Sequence, residues 1–344
     1  MSAISIIVLI VLVILTLVQV MRISEISSEI QKGKDNEVGP KDNNTQGRLM
    51  LLVGFGFVIS VLVMYVAWGR LSLPEPSSAH GAEIDSLWNL SMLIINIVFF
   101  IVQPILFYFA YKYRGKKGTK ATYYEHNNRL ELFWTVIPAL ALAVLIIWGL
   151  NVWSTLMMPE NEEEPILVEV YAQQFNWTAR YAGDDNQLGK AHYTLIGGIN
   201  TLGVDERDTL SHDDVVVREI HLVKDQQVLM KFRSQDVIHS AYLPHFNVQM
   251  NCVPGMSTQF AFTPTKTTKE MREDPEMIER MKFINEARAK KGEEAVEFDY
   301  VLLCNKICGS AHYNMQIKVI VETQEEFDAW MAEQDTFKTL VSAQ

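Results

Sequence analysis

The chain has 344 residues, 41 Asp and Glu against 30 Lys and Arg, a formal net charge of −11, and 49% hydrophobic residues. So acidic a chain lacks the basic surface that nucleic-acid binding requires, and the absence of a C-x-x-C-H sequence excludes a covalently attached c-type haem. The long apolar runs fall almost entirely within the first 156 residues, which divides the chain into a membrane half and a water-facing half.

Four spans are expected, over residues 3 to 21, 49 to 68, 87 to 111 and 132 to 153. Each holds about 20 predominantly apolar residues, enough to cross a hydrocarbon core of about 30 Å as helix. Trp68, Trp88, Trp148 and Trp153 fall near span ends, as interfacial aromatics do. The first run has no basic residue before it, is longer than a signal-peptide core and has no small-x-small pattern before Arg22, so it reads as a retained helix. Segments 22 to 48 and 112 to 129 carry five and six Lys or Arg, whereas the loop 70 to 86 carries only Arg70. Basic loops stay cytoplasmic, which places both termini, and everything after Leu156, on the outer side. In a bacterium that side is the periplasm. Glu131 stands at the start of the fourth span, where a carboxylate favours the positive end of a helix.

The water-facing part, from about Met157, carries 31 acidic against 18 basic residues, a net charge of about −13. An acidic face of this kind attracts basic partners. Strand patterns dominate it: Ile166 to Tyr171, Val215 to Val223, Val228 to Phe232, Phe260 to Phe262, Tyr300 to Leu303 and Gln316 to Val321 are short, β-branched or aromatic, and separated by turn signals. A small antiparallel sandwich or barrel is expected. Residues 183 to 214 read as a decorative surface loop. Residues 267 to 297 read as a helical insertion, with Asp274 as N-cap, Pro275 in the first helical position, Met277, Met281 and Ile284 on one face, and Gly292 as the stop.

The most informative stretch is Cys304-Asn-Lys-Ile-Cys308-Gly-Ser-Ala-His312-Tyr-Asn-Met315. It puts two thiols, an imidazole and a thioether on one loop, and His239, in Asp236-Val-Ile-His239, sits on a strand end some 65 residues earlier. Thiolate and thioether sulfur suit Cu(I), and imidazole suits either copper oxidation state. Two Cys and two His also suit a structural zinc, and a C-x-x-x-C pair suits a disulfide in an oxidising compartment; neither uses Met315. Cys252 reads as a small buried apolar residue, and His245 as surface or core. The segment Gln173-Gln-Phe175-Asn-Trp177-Thr-Ala-Arg-Tyr181 is an aromatic run that reads equally as strand core.

The copper-type loop, the Asp236-Val-Ile-His239-Ser segment, the Val253-Pro-Gly255 turn and Glu131-Leu-Phe-Trp134-Thr-Val-Ile-Pro138 together resemble subunit II of the haem-copper cytochrome c oxidases, over roughly residues 85 to 325 and in the same order. The resemblance implies transmembrane helices followed by an all-β cupredoxin-like domain. It divides the chain into two extra helices with a cytoplasmic linker (1–70), a two-helix membrane hairpin (71–156) and a periplasmic domain (157–344). It implies the binuclear copper centre called CuA, with side-chain ligands His239, Cys304, Cys308, His312 and Met315 and the backbone carbonyl of Lys306. The implied function takes electrons from cytochrome c, or from a haem domain of a partner complex, to haem in catalytic subunit I, with subunit III a further partner. Oxygen is reduced there with proton translocation, in a bacterial inner membrane. Glu131 matches a proton-path mouth, and Phe175 and Trp177 match the aromatic segment through which electrons arrive, whose first aromatic is typically Trp. Lys306 replaces a glutamate that helps hold magnesium, which puts that metal in doubt. Quinol oxidase or nitric oxide reductase subunits II, and a non-enzymatic copper carrier, are the alternatives.

Overall fold

The computed structural model describes residues 3–32, 39–69, 73–157 and 164–342. Parts of the basic linker (33–38), the stretch 70–72 and the acidic run 158–163 lie outside the described residues. Three helices among those described are long and apolar enough to cross a membrane: α2 (Pro40–Trp68), α3 (Gly81–Lys112) and α4 (Asn128–Met157). The first expected span lies on a further helix, α1 (Ala3–Lys32), whose side chains before Leu12 are outside the described residues. Much of the basic linker is therefore helical, with Pro40 in the first turn of α2, where a missing N–H costs nothing.

The chain divides into two units, residues 1–72 with 91–136, and residues 73–90 with 137–344. In the first, α2 meets α3 at small residues. A Cβ on Gly54 would collide with the Phe107 ring, and one on Gly47 would come within 2.7 Å of Arg114. Glycine lets the two backbones close, as apolar helices in lipid require. Phe57 adds ring contacts to Phe99 and Phe107 at 5.8 and 6.4 Å, and the Arg114 guanidinium donates to Asn44 Oδ1 at 2.7 Å.

The second unit holds a sandwich of two five-stranded sheets, in the orders β3-β2-β1-β5-β8 and β4-β10-β9-β6-β7. The strands are β1 (Ile166–Gln173), β2 (Asn176–Tyr181), β3 (Val215–Val217), β4 (Ile220–Val223), β5 (Val228–Ser234), β6 (His239–Leu243), β7 (Val248–Cys252), β8 (Thr258–Phe262), β9 (Tyr300–Cys304) and β10 (Gln316–Glu322). The period-two pattern of β5, whose Val228, Met230 and Phe232 are fully buried, shows how alternation fills the space between the sheets. Each such side chain contributes about 1.5–3 kcal/mol when buried. This is a cupredoxin-like domain, and the expected fold class holds in outline.

Three expectations are corrected. The sandwich is mixed, because β1 pairs β5 and β10 pairs β4 in parallel; long crossovers join these strands, where hairpins cannot reach. The run Val215 to Val223 is two strands in different sheets, broken at Arg218-Glu219, since a chain that changes sheet must leave one ladder before joining the next. The segment 183–214 is also more than decoration. It supplies Asp214 and the Gly189 carbonyl to a buried guanidinium, Arg180, at 3.0 Å each. Arg180 also binds Glu169 at 2.9 Å, and Glu169 meets Arg233 in turn. Burial opposes ionisation of Glu169, but the two guanidiniums outweigh it and hold the carboxyl below its ordinary range. At Asp214 burial wins over Arg180 and raises the carboxyl to about 7.

The helical insertion forms as expected, with a short preceding turn. Helix α5 (Thr268–Glu273) opens on a capping box between Thr267 and Glu270. Helix α6 (Pro275–Ala289) starts at Asp274, whose carboxylate accepts from Glu276 N and Met277 N, a cap worth about 1 kcal/mol. Met277 is buried and Met281 packs on the core. Two C-terminal helices, α7 (Gln324–Ala332) and α8 (Phe337–Ser342), had no counterpart in the sequence pattern; Phe327 and Trp330 of α7 pack on Tyr181.

The residues just before α3 are strapped to the sandwich. Ser77 N donates to the His245 carbonyl at 2.6 Å, Ala79 N to Thr263 at 3.0 Å, and Ser78 Oγ to Phe246 at 2.7 Å. These bonds fix the start of the helix to the sheet.

Candidate metal centre

One end of the second sheet carries the thiols. Strand β9 ends at Cys304, β10 begins at Gln316, and the loop between them is closed by Cys304 N donating to the Met315 carbonyl at 3.0 Å. Within the loop a single helical turn, His312 to Asn314, brings the His312 ring back toward Cys308. Strand β6 lies beside β9, with Ala241 opposite Cys304, and its first residue is His239.

The donor atoms fall into two similar sets. Cys304 Sγ lies 3.8 Å from His239 Nδ1 and 3.2 Å from the Lys306 carbonyl oxygen. Cys308 Sγ lies 3.6 Å from His312 Nδ1 and 3.8 Å from Met315 Sδ. The two sulfurs are 3.8 Å apart. Both thiols are free, as is Cys252. The ligand atoms of His239, Cys304 and Cys308 lie within 4.8 Å of one another, a group able to hold a metal ion. Each set has one imidazole, one thiol and one weaker donor, with the thiols facing each other between them. A single tetrahedral zinc would leave the thioether and the carbonyl unused; soft sulfur with imidazole fits copper, and two copper ions sharing both thiolates would use every donor.

The site is stiff. His239 and Met315 are almost completely buried, and Cys304 and Cys308 nearly so. His239 Nε2 donates to Asp236 Oδ1 at 2.8 Å, which turns Nδ1 toward Cys304. A carboxylate behind a ligating imidazole fixes ring and tautomer. Partial burial works against ionisation of Asp236, but hydrogen bonds from His239, Gln174 and Val237 hold its carboxyl below the usual range. Trp177 stands edge-on to His239 with ring centres 6.0 Å apart.

The structure thus brings His239, Cys304, Lys306, Cys308, His312 and Met315 together, with Trp177 and Phe175 beside them. Trp177 is buried; Phe175 is partly buried in the turn between β1 and β2 and packs on the core. Glu131 belongs to the other unit. It lies in the first turn of α4, where its carboxylate accepts from Asn127 N at 3.3 Å while Asn127 Oδ1 accepts from Leu130 N at 3.1 Å. Sequence reasoning gave Asp236 and Gln174 no role. The three-residue spacing from Asp236 to His239 at a strand start was the available signal for the first. Cys252 is fully buried, and burial pushes its thiol up to about 12. His245 is wedged between Phe298 and Tyr300.

Residues 66–152 match the family model for the cytochrome c oxidase subunit II transmembrane domain, and residues 166–270 match that for its periplasmic domain. The alternative cytochrome c oxidase subunit 2 of Bradyrhizobium diazoefficiens is 30% identical over 295 residues, covering 85% of this chain and 92% of that protein. The chain belongs to the cytochrome c oxidase subunit II family. The Synechocystis subunit 2 is 23% identical, with 80% of each chain covered. Among solved structures, the periplasmic domain of subunit II from Bradyrhizobium japonicum matches 51% of this chain and 95% of its own at 19% identity, with a TM-score of 0.31. As a subunit II, the protein is a component of an oxidoreductase complex. Its periplasmic-domain match ends at residue 270, early in the helical insertion, so it includes His239 and stops short of the Cys304 loop.

Proposed function

We propose that this subunit II is the electron-accepting subunit of a terminal cytochrome c oxidase in a bacterial inner membrane. In this reading the sandwich lies in the periplasm and receives electrons from a cytochrome c, or from a haem domain of a partner complex. It delivers them to haem in catalytic subunit I, with subunit III completing the assembly. The observation that carries this reading is the pair of similar donor sets around two thiols 3.8 Å apart. His239, Cys304, His312, Cys308 and Met315 would hold a binuclear copper centre with the Lys306 carbonyl. Bound copper supplies reversible one-electron chemistry. The chain's own part is to keep the ligands still through that change, with Asp236 behind His239 and the β9 and β10 ends clamping the loop. A quinol-oxidising relative without copper has no use for such a donor set.

Two features support donor docking on this end of the domain. Ile307 and Tyr313 on the metal loop are 86% and 88% exposed, two large hydrophobic side chains left open to solvent. The domain around them is strongly acidic, which favours a basic partner and speeds its encounter. Trp177, in contact with His239, is the candidate conduit, and Phe175 marks a donor face altered from the family's usual tryptophan. Glu131 is the candidate for proton admission on the cytoplasmic side. Stopped-flow reduction of the purified complex by a basic soluble cytochrome c tests the reading. The second-order rate should fall steeply with salt and fall again in Trp177→Ala. A rate indifferent to both, and to Phe175→Trp, would mean that electrons do not arrive through this segment.

A further inference from the structure

The two-residue turn joining β1 to β2, Gln174-Phe175, closes over the metal loop. Three contacts define the closure. The Gln174 side-chain amide donates to the Cys308 carbonyl. The Gln174 backbone N–H donates at 2.8 Å to Asp236 Oδ2, and Asp236 Oδ1 accepts from His239 at 2.8 Å. The Phe175 ring lies where a side chain at residue 309 would be: a Cβ on Gly309 would come within 2.7 Å of Phe175 Cζ and 2.9 Å of Gln174 Nε2. Gly309 also has φ +149, a conformation that favours glycine.

From these contacts we infer that Gln174 is a positioning residue for the metal loop, tying the Cys308 peptide to the carboxylate that orients His239. Its side chain reaches one donor set and its backbone reaches the other. The two tied ligands come from different parts of the fold: Cys308 from the β9 to β10 loop and His239 from the start of β6. Apart from this cross-tie, the loop's backbone bonds to the strands cluster at its two ends, Cys304 N to the Met315 carbonyl at 3.0 Å and Asn305 N to the Ser240 carbonyl at 2.9 Å. Cys308 lies between them, and its carbonyl has the Gln174 amide as its partner. A ligand peptide held by a neighbouring side chain keeps its thiol in place whether the metal is present or not, which is how outer contacts tune a site. The role as a copper-loop tie rests on the copper reading above; the tie itself does not.

The test uses the full-length chain with Gln174→Met, which keeps the volume and removes the donor, and Gln174→Ala. In metal-free protein, hydrogen exchange at the amides of residues 305 to 313 should be several-fold faster in both variants, with the amides of β1 and β5 unchanged. Equal loop exchange in wild type and both variants would overturn the tie. In copper-loaded protein, both variants should keep two coppers per chain but shift the near-infrared band and the copper hyperfine pattern, and release copper to a chelator several-fold faster. Copper spectra and release rates identical to wild type would overturn the ligand-positioning role, even with a looser loop. A wild-type chain that takes up no copper would sink the copper reading, and the exchange result would then judge the tie by itself.

Discussion

The indole Nε1 of Trp177 donates to the carbonyl oxygen of Met315 at 3.4 Å. The same side chain that faces His239 therefore also reaches the backbone of the thioether donor. Trp177 touches both donor sets from behind, and its substitution should be felt at the metal as well as in the core. Trp177→Phe removes the bond and part of the ring. We expect a loss of about 1–3 kcal/mol in stability from the hydrogen bond and lost packing. A change in the copper spectrum should accompany it; a stability loss with an unaltered spectrum would restrict Trp177 to the core.

The buried ion cluster gives a larger effect. Arg180 is 2% exposed and bridges Glu169 and Asp214, while Asp214 Oδ1 has no hydrogen-bond partner among the described residues. Arg180→Met should cost about 3–5 kcal/mol, because it leaves the buried Asp214 carboxyl without its guanidinium and Glu169 with Arg233 alone. Adding Asp214→Asn, which removes the carboxyl left without its guanidinium and keeps the Glu169 to Arg233 pair, should recover much of that loss. Denaturant unfolding of the full chain measures both, and equal losses in the single and double variants would mean that the cost is lost packing alone.

Acid should destabilise the domain through His245. Both ring nitrogens are buried without hydrogen-bond partners among the described residues. Burial first, and then the neighbouring Arg280 charge, lowers its pKa to about 4. The unfolded chain, titrating near 6.5, binds the proton sooner than the folded one. Stability is therefore complete above pH 6.5 and declines as pH falls toward 4, by at most about 3 kcal/mol from this group. His245→Phe, which suits a slot between Phe298 and Tyr300, should flatten the pH dependence between 4 and 6.5. A variant with the wild-type slope would assign the acid sensitivity to other groups.

Much of this was legible in the sequence because it is local. The ligand loop, the Asp274 cap and the apolar helices each announce themselves within a few residues. What was not legible depends on distant pairing. The run Val215 to Val223 reads as one strand by composition, and only the two sheets around it show why it breaks at Arg218. The residues 183–214 look like decoration until Arg180 is found to need Asp214 and Gly189 as partners. Gln174 carries no signal of its own, since its role exists only once the β1 to β2 turn lies over Cys308.

Lys306 offers its carbonyl to the site, but its side chain is exposed and has no ion pair among the described residues. The family resemblance puts a magnesium-holding glutamate at this position, and an ammonium group cannot ligate a cation. The interface with the catalytic subunit should therefore lack magnesium in its usual coordination, with Lys306 pairing with a carboxylate or haem propionate there. Metal analysis and a structure of the assembled complex decide this: a divalent ion coordinated beside residue 306, or a lysine left in bulk solvent, would contradict it. Lys306→Glu should raise the complex's manganese or magnesium content.

The two donor sets should together hold a pair of coppers through shared thiolates. Metal analysis with electron paramagnetic resonance on the purified full chain, loaded with copper, tests it most directly. The protein should be purple, with two coppers per chain and one unpaired electron shared between them, and should lose both metals when Cys304→Ser and Cys308→Ser are combined. One zinc and no copper, or copper binding that survives the double substitution, would contradict it.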